Sequence, residues 1–350
     1  MKALTLFALL TVLVLPVAMF AQPPAQAPPP PCVPGGPSEN VQYVCDHMAP
    51  EDLVVVPGSE WVVASSYGGT GGIRIVNVKT KVTTLAYPSV TAKELQDTKT
   101  YAACPGPPDA AQKAMLTTHG LALREGKNSL HTVYVVNHNK RESIEVFELN
   151  AKASPPVLTW IGCVVAPDPI GLNEVLPLPD GGFIGTDFLA RGDANARAKM
   201  SAGEVNGALW EWHPGKGWTK IPGSEASGAN GLEISKDGKW LYVAAWGNQK
   251  FFRMSYGQAQ VKREEIPLPF RPDNVRWAPD GKLYVTGQGG VGQMQTTNIV
   301  KVDPDTLKVT EIRTEPNTAG FGAGTVTVQI GKELWVGSYR GDRIAIFPAP

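Results

Sequence analysis

The chain has no G-x-S-x-G stretch, so the strand-to-helix elbow that presents a nucleophilic serine in α/β hydrolases is missing. Its four cysteines, Cys32, Cys45, Cys104 and Cys163, include no C-x-x-C pair, which speaks against a zinc ribbon or a redox dithiol. Net charge is absent as well, with 32 Lys and Arg against 32 Asp and Glu. That balance favours neither nucleic acid nor an acidic membrane surface. Beyond the first two dozen residues no apolar run could span a bilayer. Long amphipathic helical patterns are missing too, and no WD-dipeptide repeat occurs. The partner left by these exclusions is a small molecule.

What is present begins with MKALTLFALLTVLVLPVAMFAQ. One basic residue, an apolar run and small residues near Ala18 to Ala21 read as a secretory signal peptide over 1–21. Met19 occupies a position where a small residue is preferred for cleavage after Ala21, so a retained N-terminal anchor is the alternative. Residues 22–40, opening QPPAQAPPPP, favour extended polyproline and read as a tether. The expectation is an exported protein, periplasmic or extracellular, with no transmembrane domain once the signal is removed. One or two disulfides then suit the four cysteines, but the three possible pairings stay open, as do buried thiols.

Residues 41–350 alternate in the strand manner and repeat a phrase: a polar pair, an apolar strand, a tight turn and a second strand. NGLEISKDGKWLYVAAWGNQKFFRM and DNVRWAPDGKLYVTGQGG show it, and LPDGGFIGTDF and VPGSEWVVASSY carry the same hairpin. Repeats recur at roughly 45 to 70 residues, at or beyond the long end for propeller blades. The reading is all-β: a six-bladed β-propeller whose last unit is completed by an N-terminal strand at 41–45. Two stretches exceed the repeat, at about 88–117 and at 189–207, and each is either a binding wall or a surface excursion.

The polar pairs are Glu51-Asp52, His119-Gly120, Asn173-Glu174, Asn230-Gly231, Asp273-Asn274 and Gly324-Thr325. In a closed ring their first members face one axis, and Asn274 can also reach inward. Carboxylates brought within a few ångströms there repel by about 4 kcal/mol per pair at an intermediate dielectric, and the column holds no Lys or Arg. A metal is the economical counter-charge, and hard carboxylate and amide oxygens suit Ca²⁺ better than zinc or copper. His119 has the intrinsic pKa of a general base near neutrality, and His138 could pass its proton outward. The other three histidines, His47, His131 and His213, fall in turn or terminal contexts and read as surface residues.

With THGLAL at 118–123, TVYVVNHNKRESIEVFEL at 132–149, and the phrases PEDL, ANGLEIS and DN, the chain resembles the calcium-dependent propellers of the paraoxonase/arylesterase group. More distantly it is similar to gluconolactonase and regucalcin. The resemblance implies that Glu51, Asn173, Asn230, Asp273 and Asn274 hold a catalytic calcium. It implies a second, structural calcium on Asp52, Glu174 and the carbonyl of Leu121, two ions in all. His119 and His138 fall on the group's histidine pair, as base and shuttle. In two respects the chain departs from the group: Glu174 stands where Asp is typical, and no cysteine follows Cys163, so a disulfide between the chain ends cannot form.

The function so implied is hydrolysis of lactones or aryl esters by calcium-activated water. The rivals are a sugar-lactone hydrolase of the gluconolactonase type and a propeller that only binds, with calcium fixing the ring. Fold by itself does not choose among them.

Overall fold

The computed structural model describes residues 30–350 except 37, 39, 69 and 291–295. The signal segment and most of the Pro-rich stretch lie outside the described residues. The turns predicted from KDGK, PDGK, LPDGG and VPGS all place glycine at positive φ, between 65° and 92° for Gly58, Gly181, Gly238 and Gly281. Each joins two strands of one antiparallel sheet, and six such sheets follow one another along the chain. The fold is an all-β, six-bladed β-propeller.

Five blades are consecutive in sequence, while the sixth combines Phe321–Ile330, Glu333–Gly341 and Ile344–Pro348 with the N-terminal strand Gln42–Val44. That strand pairs antiparallel with the C-terminal one, Tyr43 opposite Ala345, so the expected closure is observed. The seam is apolar: Val44, Leu53, Val62, Val326, Trp335 and Ile344 form one buried cluster across the sixth and first blades. Fully burying such a side chain contributes about 1.5–3 kcal/mol. The middle strand Leu283–Gly289 is buried throughout, whereas the outer strand Val309–Pro316 is mostly exposed.

The innermost strands carry the polar pairs, and five of the six share an irregularity. Register shifts by a residue between Thr118 and Leu121, Leu172 and Val175, Ala229 and Leu232, Pro272 and Val275, and Gly324 and Val326. Each of these five pairs therefore sits on a β-bulge, which breaks strict alternation and re-aims side chains. Strict alternation would send one member of a pair to the axis and the other away; the bulge lets Asn173 with Glu174, and Asp273 with Asn274, both serve the tunnel.

Both disulfides are formed, Cys32–Cys45 beside the closing strand and Cys104–Cys163. The second ties the 88–117 excursion to the outer edge of the second blade, where Lys93–Glu94 adds a parallel strand. None of that stretch lines the tunnel mouth. The 189–207 excursion does reach it, through the short helix Ala196–Ser201. Among the described residues no helix is long and apolar enough to cross a membrane.

Candidate metal centre and active site

The five residues expected to hold calcium meet at one end of the tunnel. Glu51, Asn173, Asn230, Asp273 and Asn274 come from four blades and are each at most 5 % exposed. Four of the set's oxygens are buried with no hydrogen-bond partner: Glu51 Oε2, Asn173 Oδ1, Asn230 Oδ1 and Asn274 Oδ1. An unsatisfied buried oxygen costs about 1–3 kcal/mol, so four in one place define a cradle for a cation. The remaining polar atoms aim these oxygens. Asn274 Nδ2 donates to Glu51 Oε1 at 2.8 Å, and Gln288 Nε2 donates to Asp273 Oδ2 at 2.6 Å.

Charge in the cradle is held under tension. Burial, then the charges of Asp273, Asp52 and Glu174, push the Glu51 carboxyl well above its ordinary range, while burial raises Asp273 to about 7. A bound cation relieves both. The donor set, carboxylate and amide oxygens without thiolate, fits Ca²⁺.

Glycines at the second position of two pairs explain the close gathering. A Cβ on Gly120 would lie 2.3 Å from the carbonyl oxygen of Asn173, and one on Gly231 2.4 Å from that of Asp273. Neighbouring inner strands approach so nearly that only glycine fits. In the sixth pair, Gly324 contributes no side chain, and Gln288 crosses the gap to donate to its carbonyl at 2.8 Å. Thr325 donates to the backbone oxygen of Glu51, locking the last blade to the first.

His119 and His138 are brought together as expected, Nδ1 of the first 2.8 Å from Nε2 of the second. Glu142, which the sequence reading missed, completes the line: both its carboxylate oxygens stand 3.0 Å from His138 Nδ1. It follows His138 by four residues across a hairpin, and that spacing was the available signal. Glu142 also accepts from the Leu172 amide at 2.6 Å, which fixes it. With His138 donating to Glu142 and His119 donating to His138, Nε2 of His119 keeps its lone pair. That atom faces the cradle, 3.8 Å from Glu51 Oε2. Burial, reinforced by His138, holds the His119 pKa well below its usual value, so the ring is neutral near pH 7. Tyr67 packs on it with centroids 4.4 Å apart.

The second calcium calls for a correction. Asp52, Glu174 and Leu121 do converge one layer deeper, but on the guanidinium of Arg276. Its Nη2 donates to Asp52 Oδ2, to Glu174 Oε2 at 3.1 Å and to the Leu121 carbonyl at 3.1 Å. The other carboxylate oxygens are engaged as well: Asp52 Oδ1 accepts from the Leu53 amide and Glu174 Oε1 from that of Val175. No oxygen of this layer is left unpartnered, in contrast to the layer above. Burial opposes the arginine's charge, but Asp52, Glu174 and Glu233 outweigh it and hold it protonated. The residues do not fit a second ion. Arg276 lies two positions beyond Asn274, outside the column of pairs, and ordinary alternation past the bulge puts it on the same face as Asn274.

His47 and His131 are likewise not surface residues. They are 3 % and 4 % exposed, and burial first, then Arg74, drives His47 down to about 3. His213 is half-buried and pairs with Asp180 at 2.7 Å.

Above the cradle lies a cavity of about 290 Å³ walled by Tyr67, Phe188, Trp246 and Tyr339, with Arg197 and Arg340 at its mouth. A six-bladed propeller with a hard-oxygen ring at one tunnel mouth defines the class to which the molecule's architecture belongs. No protein-family model matches the chain, and no curated protein matches it. Solved structures do. A gluconolactonase from Xanthomonas campestris is 15 % identical with a TM-score of 0.57, over 93 % of this chain and 99 % of its own. A luciferin-regenerating enzyme is 15 % identical with a TM-score of 0.56, over 88 % and 95 %. Regucalcin from Agrobacterium tumefaciens, a calcium-binding protein, is 13 % identical with a TM-score of 0.51, over 88 % and 93 %. At these identities the likeness is one of fold.

Proposed function

We propose that the protein is an exported hydrolase of lactones or aryl esters that works with a single calcium at the tunnel mouth. The observation that carries this reading is the set of four unpartnered buried oxygens beside His119 Nε2, whose lone pair faces the cradle and takes only a long contact of 3.4 Å from Asn173 Nδ2. Glu51, Asn173, Asn230, Asp273 and Asn274 would hold the ion. Bound there, calcium would polarise the scissile carbonyl and stabilise the oxyanion that forms on it.

The chain's own groups supply the rest. His119 Nε2 accepts a proton from the attacking water, and its Nδ1 proton passes to His138 Nε2 as His138 releases its own toward Glu142. Glu142 keeps His138 in the tautomer this relay needs. The aromatic walls take the apolar body of an ester or lactone and exclude water. They favour such substrates over a polyhydroxylated sugar lactone, the substrate class suggested by one structural relative. Two disulfides support passage through an oxidising compartment, periplasmic or extracellular.

A panel of phenyl acetate, hydrophobic lactones and gluconolactone, assayed after chelation and after calcium is restored, tests the reading. Hydrolysis of the apolar members that vanishes with chelator and returns with calcium is expected. Calcium binding without turnover of any member would make the protein a binding propeller instead.

A further inference from the structure

Arginine side chains in this protein are almost all engaged. Among the described residues each donates at least one hydrogen bond from its guanidinium, with two exceptions. The exceptions are Arg197 and Arg340, and both stand at the mouth of the cavity above the cradle. Among the described residues neither forms an ion pair, and Arg340 lies over the ring of its neighbour Tyr339, 5.0 Å from the centroid. Both guanidiniums act electrostatically on the Tyr339 hydroxyl.

Arg197 does not ride on a loose loop. Met200 in its helix is fully buried and accepts from Ser227 Oγ at 3.1 Å, and Asn206 bridges the Gly228 amide and the Phe188 carbonyl. A Cβ on Gly247 would lie 2.5 Å from the Met200 carbonyl, so the helix is seated hard against the fourth blade. Arg340 ends the strand Glu333–Gly341, where Ser338 Oγ donates to its carbonyl.

Among the described residues the only other charged groups lining this cavity are Glu51 and Asp273 on its floor. Once a divalent cation neutralises the floor, the rim presents two positive forks with no hydrogen-bond or ion-pair partner among the described residues, separated from the floor by aromatic walls. A guanidinium so placed matches carboxylate or phosphate oxygens.

We propose that the ligand of this cavity carries an anionic group, carboxylate or phosphate, held by Arg197 and Arg340 while its apolar body lies between the rings. As a statement about substrate, this rests on the hydrolase reading; as a statement about binding, it does not.

Calorimetry on the full, calcium-loaded protein with benzoate, phenyl phosphate and the neutral benzamide tests it without turnover. The anionic probe that matches should bind at least about tenfold more tightly than benzamide, the scale of one charge-assisted hydrogen bond. Which of the two anions wins separates carboxylate from phosphate. In the Arg197→Gln/Arg340→Gln double variant the preference should vanish, and in the double Lys variant most of it should return.

Equal affinity for all three probes overturns the proposal. So does a preference that survives the double Gln variant, because the anion would then be seated on the metal. Hydrolysis of 4-acetoxybenzoate and of 4-acetoxyphenyl phosphate, each relative to phenyl acetate, gives the second readout. A binding preference without cleavage of any ester leaves the rim assignment standing and removes the hydrolase reading.

Discussion

Each residue of the cradle has one task, which makes its loss specific. Replacing Glu51 or Asp273 with Ala is expected to remove calcium and activity together, lowering kcat/KM about a hundredfold or more, as loss of an oxyanion-stabilising group does. Metal content per chain and hydrolysis rate check this; a variant that stays active in chelator would sink the mechanism. Replacing His119 with Gln should leave the metal in place and lower kcat by about 10² to 10⁴. Unchanged kcat across the pH range would remove His119 from proton transfer. Arg276→Met leaves Asp52 and Glu174 buried without a counter-charge and should cost about 3–5 kcal/mol, read from denaturant unfolding.

The same residues show what could be read in advance. The cradle was legible because its ligands are the first members of a repeated pair, and repetition is visible in a sequence. Asn274 was legible because it is the neighbour of one. Arg276 was missed because it belongs to no pair, although its place two residues beyond Asn274, on the same face of the strand, was the available signal. The burial of His47 and His131 escaped for a related reason: a turn position says nothing about what packs over it.

Among the elements, the excursions at 88–117 and 189–207 looked alike in sequence and differ in role. The first is a brace, since Cys104–Cys163 closes a loop across a sequence separation of 59. Replacing both cysteines with Ser should cost about 2–4 kcal/mol of stability with little change in kcat, as measured by unfolding and by assay. The second is a wall of the site. What distinguishes them is direction, outward from the blade edge or inward over the tunnel, and direction depends on strand ends that composition does not reveal.

For the whole molecule, the buried carboxyls set a pH dependence whose sign can be worked out. Asp273 has a folded value of about 7 against an ordinary 3.8, so between these values the metal-free folded state keeps a proton that the unfolded chain has released. Its contribution to stability is therefore lost as pH rises through that window. His47 and His119, both lowered, act oppositely below 6.5, and Glu51 is raised partly by Asp273, so comparison with Asp273→Asn reads Asp273 together with the Glu51 titration its charge perturbs. In chelator, the parent's melting temperature should fall more steeply than that of Asp273→Asn between pH 6.5 and 7.5. In calcium the difference should shrink or reverse. Metal analysis should return one calcium per chain, Arg276 occupying the deeper layer.

The antiparallel pairing of Gln42–Val44 with Ile344–Pro348 sets an order of events during synthesis. The strand made first waits for the strand made last, and the pairing spans nearly the whole folded length. Contacts of such long range make for slow folding. Every ligand of the cradle is already present once Asn274 has been added, yet the ligands come from blades that converge only when the ring shuts. A nascent chain stopped short of Ile344 thus contains all the chemistry of the site and has nowhere to assemble it.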